Sequence, residues 1–167
     1  MNKASNMAKG GMITALSIIL LYFSSIMPTN KLSFIVVASF LIPIAIINLN
    51  FRTSVIIYSA ISLLSLFLLP LKGISILYIL FFGAYGFIKF LIEKIRKVPI
   101  EIFLKLVYFN IVLVILILLY KQFFATMIDI KYLTTYLVVS IILAQLLFMA
   151  YDYLVTLMIQ RFSKFKF

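Results

Sequence analysis

The sequence lacks three residue types that carry much of protein chemistry, because it contains no cysteine, no histidine and no tryptophan. The first two absences exclude disulfides, thiol nucleophiles, soft metal sites and imidazole acid–base catalysis. Acidic residues are also few, with four Asp and Glu against 15 Lys and Arg: Glu93, Glu101, Asp129 and Asp152. A hydrolytic site would need paired acids, a histidine, or a serine with a base. The sequence therefore predicts a chain that is not an enzyme and that uses no cofactor and no metal.

Long apolar runs are what the sequence has in abundance. Hydrophobic residues make up 66% of the 167 residues, against roughly 45–50% in soluble domains, and the mean hydropathy is +1.26. Crossing about 30 Å of hydrocarbon takes about 20 residues, and lipid requires helices or closed barrels. The prediction is an all-α polytopic membrane protein, a single transmembrane helical domain over residues 1–167. Its six transmembrane helices lie at about 11–27, 32–48, 53–70, 74–92, 100–120 and 133–159.

The distribution of basic residues predicts how these spans are oriented. When connections are assigned to alternate sides, one side holds Lys3, Lys9, Arg52, Lys89, Lys94, Arg96, Lys97, Lys105, Arg161, Lys164 and Lys166, and the other holds Lys31, Lys72, Lys121 and Lys131. The positive-inside rule then places both termini in the cytoplasm, an N-in/C-in arrangement. In a chain this apolar, the basic excess indicates contact with anionic membrane lipids rather than nucleic acid.

Small residues cluster where the first span begins, in the stretch AKGGMITALS at residues 8–17. Ala4, Ala8, Gly11 and Ala15 recur at steps of four, three and four, which places them on one side of a helix. Such a side lets a second helix approach closely, and close packing drives helix association in lipid. Two interpretations stay open: the approaching helix belongs to this chain, or it belongs to a partner protein. Gly83 and Gly86 of the fourth span indicate internal packing instead.

Polar side chains recur along single faces of two spans. Helical spacing groups Ser54, Tyr58, Ser62 and Ser65 in the third span, and Tyr78, Phe82, Tyr85 and Lys89 in the fourth. We expect both faces to point inward, where hydrogen bonds between helices are ordinary packing and a lined cavity is the alternative. In the second case the candidate ligand-facing residues are Tyr58, Ser62, Tyr78, Tyr85 and Gln145.

Asp152 places a carboxylate well inside the sixth predicted span. A carboxylate at the bilayer centre costs roughly 2.5–3.5 kcal/mol on insertion scales, so it needs a partner. Lys89 and Lys105 are expected near the same end of their spans, and the leading hypothesis is an intramembrane ion pair between Asp152 and one of them. Proton coupling is the alternative role for this carboxylate.

In layout, the chain resembles the substrate-binding S component of energy-coupling-factor vitamin transporters, or a related small bacterial membrane protein. In that family an Ala-xxx-Ala pattern on the first helix contacts a transmembrane coupling subunit that two cytoplasmic ATPases drive. The matching positions here are Gly11 and Ala15, with Ala8 one turn earlier. The resemblance implies a solute-binding subunit of a transporter, holding a small micronutrient-like ligand in the bacterial cytoplasmic membrane. Family members commonly fold a sizeable first loop over the ligand, where this chain has residues 28–31.

A second class of function explains the small-residue face equally well. A non-transporting scaffold or partner protein of the cell-envelope machinery needs the face and no ligand. A cavity open to the outside and lined by the third, fourth and sixth spans would favour transport, whereas solid side-chain packing would favour the scaffold.

Overall fold

The computed structural model describes the backbone of residues 3–124 and 130–164, and the side chains of residues 4–119 and 141–162. The regular elements in these ranges are helical. In chain order they are α1 (Lys3–Ile26), α2 (Lys31–Asn48), α3 (Phe51–Leu68), α4 (Lys72–Leu77), a π-helix (Tyr78–Gly83), α5 (Ala84–Ile92), a 3₁₀ turn (Glu93–Ile95), α6 (Val98–Phe124) and α7 (Ile130–Lys164). Five basic side chains that entered the orientation count, namely Lys3, Lys121, Lys131, Lys164 and Lys166, lie outside the described side chains.

Within the described residues, six helical stretches are long and apolar enough to cross a membrane, which agrees with the predicted number of spans. The fourth span is continuous over Lys72–Ile95 and is built from α4, the π-helix, α5 and the 3₁₀ turn. Two spans are short: α2 and α3 have 18 residues each, which at 1.5 Å per residue gives about 27 Å. Both are therefore slightly shorter than the ~30 Å of a typical hydrocarbon core.

The connections begin where the sequence carries turn residues. α1 ends at Ile26, two residues before Pro28, and Asn30 has φ 64° immediately before α2. Asn adopts the left-handed region at low cost because its short polar side chain bonds locally. Pro70 follows α3, and Arg96, at φ 56°, ends the 3₁₀ turn. Local chemistry thus fixes these span boundaries.

The chain divides into two compact units. The first unit contains the described residues up to Leu91 together with those from Met158 onward, and the second contains Ile92–Leu157. In the first unit α1 packs on α2 and α3, and α2 packs on α3 and on the π-helix. Its most deeply buried aliphatic side chains are Leu21, Ile35, Ala38, Ile42, Ala45 and Ile61. The expectation of a single transmembrane domain stays a prediction.

Serine hydroxyls tie the ends of helices together within the first unit. Ser24 Oγ donates to the Lys31 carbonyl at 2.8 Å, and the Leu71 amide donates to Ser25 Oγ at 3.2 Å. Ser75 Oγ donates to the Ser65 carbonyl at 2.8 Å. The first bond joins α1 to the start of α2 and the second joins α1 to the residue before α4, while the Ser65 carbonyl accepts the Leu69 amide as well, at 3.1 Å.

The two glycines of the fourth span are packing notches, as predicted. A Cβ at Gly83 would lie 2.8 Å from Tyr58 Cε2 and 3.0 Å from Tyr78 Cε1, and a Cβ at Gly86 would lie 3.0 Å from Pro43 Cδ. Any larger residue would therefore push α3 or α2 away from the fourth span. The predicted inward faces also agree, because Ser54, Ser65, Tyr78, Phe82, Tyr85 and Lys89 are buried, while Tyr58 and Ser62 are half-buried.

In the second unit, side chains join α6 to α7. Phe109 and Phe148 stack with ring centroids 4.6 Å apart and an interplanar angle of 13°. Offset stacking of this kind adds about 0.5–1.5 kcal/mol beyond area burial. Both phenylalanines are buried, so the pair forms the apolar centre of this unit.

Candidate functional site

The small residues of α1 form an exposed strip, which we call the α1 strip: Ala4, Ala8, Gly11 and Ala15. All four are exposed, and a Cβ built at Gly11 meets no atom within 4 Å. Large flexible side chains flank the strip, since Met7 and Met12 are 77% and 74% exposed. The strip is thus a shallow surface with space above it.

The opposite side of α1 makes the contacts within the chain. Gly10 is buried, and a Cβ there would lie 3.3 Å from Ile57 Cδ1 of α3. Ser17 is fully buried, and its hydroxyl donates to the Ile13 carbonyl at 2.8 Å. Consecutive helical residues point about 100° apart, so Gly10 faces α3 while Gly11 faces away from it. The contact with α3 is therefore made by the side of α1 that carries Gly10 and Ser17. The α1 strip takes no part in that contact.

A tyrosine cluster surrounds the π-helix of the first unit. The Tyr58 hydroxyl donates to the Ile79 carbonyl at 2.7 Å, and Tyr58 and Tyr78 are the two rings that a Cβ at Gly83 would meet. A π-helix shifts the bonding pattern to i→i+5, and such segments often occur at functional sites. Here the hydroxyl of a neighbouring helix bonds a carbonyl within that segment. The sequence carried no signal for the π-helix.

The candidate ligand-facing residues are only partly brought together. Tyr58 and Tyr78 belong to this cluster, Ser62 lies one turn after Tyr58 on α3, and Tyr85 lies about two turns after Tyr78, with its ring 6.3 Å from that of Phe81. Tyr78 and Tyr85 are 0% exposed. Gln145 is half-buried on α7 and belongs to the second unit. A ligand at the tyrosines would therefore have to displace packed rings.

A charged group of three side chains, which we call the Lys105 triad, lies in the second unit. Lys105 Nζ is 3.0 Å from Asp152 Oδ2 and 3.1 Å from Glu93 Oε1. The lysine side chain is 10% exposed, against 23% for Asp152 and 36% for Glu93. A buried ammonium needs such compensation, because charge burial without a partner costs several kcal/mol. Thr156 Oγ1 donates to the Asp152 carbonyl at 2.9 Å and steadies the same turn of α7.

The Lys105 triad can be compared with the hypothesis that Asp152 forms an ion pair with Lys89 or with Lys105. The structure places Lys105 at bonding distance from Asp152, and Lys89 is fully buried within the first unit. Glu93 was missed as a member of the site, because it falls between the predicted fourth and fifth spans. The shortness of the turn could have indicated this contact. Only a few residues separate Glu93 from the start of α6, the helix that carries Lys105.

An open pocket adjoins the triad on the second unit. Six residues of α6 and α7 line it: Ile102, Lys105, Leu106, Phe148, Met149 and Asp152. Its empty volume of about 220 Å³ includes space that is open to the surroundings, so the pocket encloses far less than an ordinary small-molecule site. Ile102 and Met149 are 44% and 45% exposed and form the rim, whereas Phe148 is 3% exposed and forms the floor. The pocket is therefore a shallow apolar cleft with a charged end.

Metal-binding geometry is not found in the part of the chain that the structure describes, where no three His, Cys, Asp or Glu residues group together. Two of the described carboxylates, Glu93 and Asp152, are bonded to the Lys105 ammonium. Comparison with protein-family models, with curated proteins and with solved structures finds no match to this chain.

Proposed function

We propose that this chain is a non-catalytic subunit of a membrane complex that docks on a second membrane protein through the α1 strip. The observation that carries the proposal is the exposure of Ala4, Ala8, Gly11 and Ala15, next to the buried Gly10. In lipid, helices associate through close packing rather than through hydrophobic exclusion from water. A face that is nearly flat, apolar and not used for packing on α3 is therefore suited to receive a partner's helix.

The first form of this role is a solute-binding subunit of a transporter. The resemblance to S components supports it, with Gly11 and Ala15 at the docking positions, a coupling protein with ATPases as partner and a micronutrient-like ligand as cargo. The tyrosines around the π-helix are the residues through which such a ligand would be held. Binding would require Tyr78 and Tyr85 to leave their packed positions, because both are 0% exposed.

The second form is a non-transporting partner of cell-envelope machinery. The specific observation in its favour is the same burial of Tyr78 and Tyr85, since solid packing needs no ligand to complete it. The connection between α1 and α2, residues 27–30, is also too short to cover a bound solute. On these two features the geometry favours the second form.

The setting of the proposal is a bacterial cytoplasmic membrane, with both termini on the cytoplasmic side. The distribution of Lys and Arg supports that orientation, because connections on the proposed inner side carry most of the positive charge. Membrane lipids are then the remaining partners, and the exposed apolar side chains of all six spans face them.

The test enlarges two residues of the α1 strip at positions where the fold has space for them. Gly11→Leu combined with Ala15→Leu adds bulk on the open side of α1, and the matched control is Ala150→Leu combined with Ser59→Leu, at small exposed positions elsewhere. We expect the strip variant alone to lose the proteins that co-purify with the wild type under mild extraction. Unchanged co-purification with a folded strip variant would overturn the docking proposal.

The identity of what co-purifies separates the two forms. A coupling protein with its ATPases, together with a bound small molecule in native mass spectrometry, identifies the transporter subunit. Envelope proteins without a bound small molecule identify the scaffold.

A further inference from the structure

The second unit combines a basic turn with an apolar cleft that opens on the membrane surface. Arg96 and Lys97 lie between the fourth and fifth spans, and Lys94 lies in the 3₁₀ turn just before them. All three side chains are exposed. The cleft is the pocket between α6 and α7 whose rim is Ile102 and Met149.

From this juxtaposition we propose that the second unit binds one anionic phospholipid, with its phosphate at Lys94, Arg96 and Lys97 and an acyl chain in the pocket. This inference is independent of the docking role. The occupant follows from the charges and from the surroundings, since an open apolar cleft on a membrane span is bathed in acyl chains. Phosphate is the anion that clustered Lys and Arg at a membrane surface attract.

The spacing along α6 matches a lipid. Lys97 immediately precedes the helix, and the pocket residues Ile102 and Leu106 follow five and nine positions later. At 1.5 Å per residue they lie about 8 and 13 Å below Lys97 along the axis. A headgroup phosphate and the upper part of an acyl chain are separated by a similar depth. One molecule can therefore reach both features.

The basic side chains of the turn outnumber the acidic charge left near them. Glu93 and Asp152 are both bonded to Lys105, whose single positive charge offsets one of their two negative charges at the pocket's end. Glu101 is half-buried and lies one helical turn before Lys105, about 40° from it around the axis, so it borders the face that lines the pocket. The three basic side chains are thus the exposed charges above the cleft.

The experiment measures lipid binding to the whole delipidated chain by native mass spectrometry, using phosphatidylglycerol and phosphatidylcholine with identical acyl chains. We expect one phosphatidylglycerol to bind tightly and phosphatidylcholine to bind weakly. At the usual value per basic residue near a membrane surface, each neutralised side chain weakens binding about fivefold, and Lys94→Gln with Arg96→Gln and Lys97→Gln weakens it about a hundredfold.

Two further variants test the pocket and the specificity. Met149→Trp fills the cleft from α7 and Ile102→Trp fills it from α6, both from exposed rim positions, and each should weaken phosphatidylglycerol binding with all charges intact. The charge-matched control, Lys9→Gln with Lys31→Gln and Arg52→Gln, should change binding less than twofold. Equal losses in the control and the turn variant, equal affinity for the two lipids, or full binding by both folded pocket variants would each overturn the proposal. The proposal would also be overturned if delipidation released a bound protein from the second unit instead of a lipid.

Discussion

At the scale of single residues, Lys105 determines how charge is accommodated in the second unit. One ammonium bonds two carboxylates, at 3.0 and 3.1 Å, in a unit whose remaining described interior is apolar. Each carboxylate alone would be costly at this depth, and so would the lysine. The three charges are therefore mutually dependent, which makes the removal of one of them informative.

Lys105→Met should destabilise the chain by about 1–3 kcal/mol, because it leaves two carboxylates without their cation. This range is lower than the 3–5 kcal/mol typical of a broken, fully buried pair, since Glu93 and Asp152 keep 36% and 23% exposure. Thermal unfolding in detergent measures the effect, and Lys9→Met, at an exposed lysine, is the control.

A double-mutant cycle tests whether the effect comes from the triad. Lys105→Met combined with Asp152→Asn should cost less than the sum of the two single changes, because the second removes a charge that the first has stranded. Strict additivity, or wild-type stability in Lys105→Met, would show that the triad contributes little.

In the Lys105 triad, the sequence predicted one ion pair and missed the other. That Asp152 needs a cation follows from the cost of a charge in lipid, and Lys105, one of the two lysines named for it, lies 3.0 Å from its carboxylate. Glu93 could not be assigned, because membership of the site depends on the path of the turn between two spans. Turn paths are set by packing at both ends rather than by the composition of the turn itself.

At the scale of helices, two neighbouring glycines of α1 have opposite roles. Gly10 touches α3 and Gly11 touches nothing within 4 Å. In water, burial of the apolar side would have shown which glycine faces inward. A span is apolar all round, so the sequence pattern alone left both interpretations open. Only the packing of α1 on α3 separates them.

Gly83→Ala and Gly11→Ala form a matched pair for testing the helix contacts. The new Cβ at position 83 would lie 2.8 Å from Tyr58, so α3 and the π-helix must move apart, and overpacking of this kind costs about 1–3 kcal/mol. The same change at position 11 enters open space and should leave stability unchanged or slightly raised, because alanine favours helix more than glycine does. Melting of both variants in detergent gives the comparison, and equal melting temperatures would contradict the packing described.

The π-helix shows where helix-level prediction stops. The apolar run over residues 74–92 correctly predicted a span, and Gly83 and Gly86 correctly predicted notches. In the π-helix at Tyr78–Gly83 each backbone hydrogen bond spans one residue more than in an α-helix, and this difference does not change the hydropathy pattern of the sequence. The Tyr58 hydroxyl bonded to the Ile79 carbonyl comes from α3, 21 positions away. A contact so distant in sequence is decided by tertiary packing.

At the scale of the whole molecule, the distribution of charge predicts how the spans are oriented in the membrane. The chain contains no cysteine, so single introduced cysteines report on each connection without background. Thr29 and Asn50 are exposed and lie in successive connections, and Leu71 lies in the third. These three positions sample both proposed sides of the membrane.

We expect a membrane-impermeant maleimide to label Thr29→Cys and Leu71→Cys on intact cells, and to label Asn50→Cys only after permeabilisation. The reason is the excess of Lys and Arg on the side that holds Asn50 and both termini. The reverse pattern would invert the orientation, and labelling of adjacent connections from one side would contradict the number of spans.

The sequence by itself determined that the described part of this chain forms six apolar helices and which faces of the third and fourth spans turn inward, and it placed the helices to within a few residues except at the start of α1, which begins at Lys3 rather than near residue 11. These properties follow from the length of hydrocarbon to be crossed and from the cost of unsatisfied backbone and polar groups in lipid. The tertiary structure alone decided that the α1 strip stays exposed, that Glu93 joins Asp152 on Lys105 and that the fourth span contains a π-helix. Each of these depends on contacts between separate helices, and between uniformly apolar surfaces such contacts are selected by shape, which no one-dimensional pattern records.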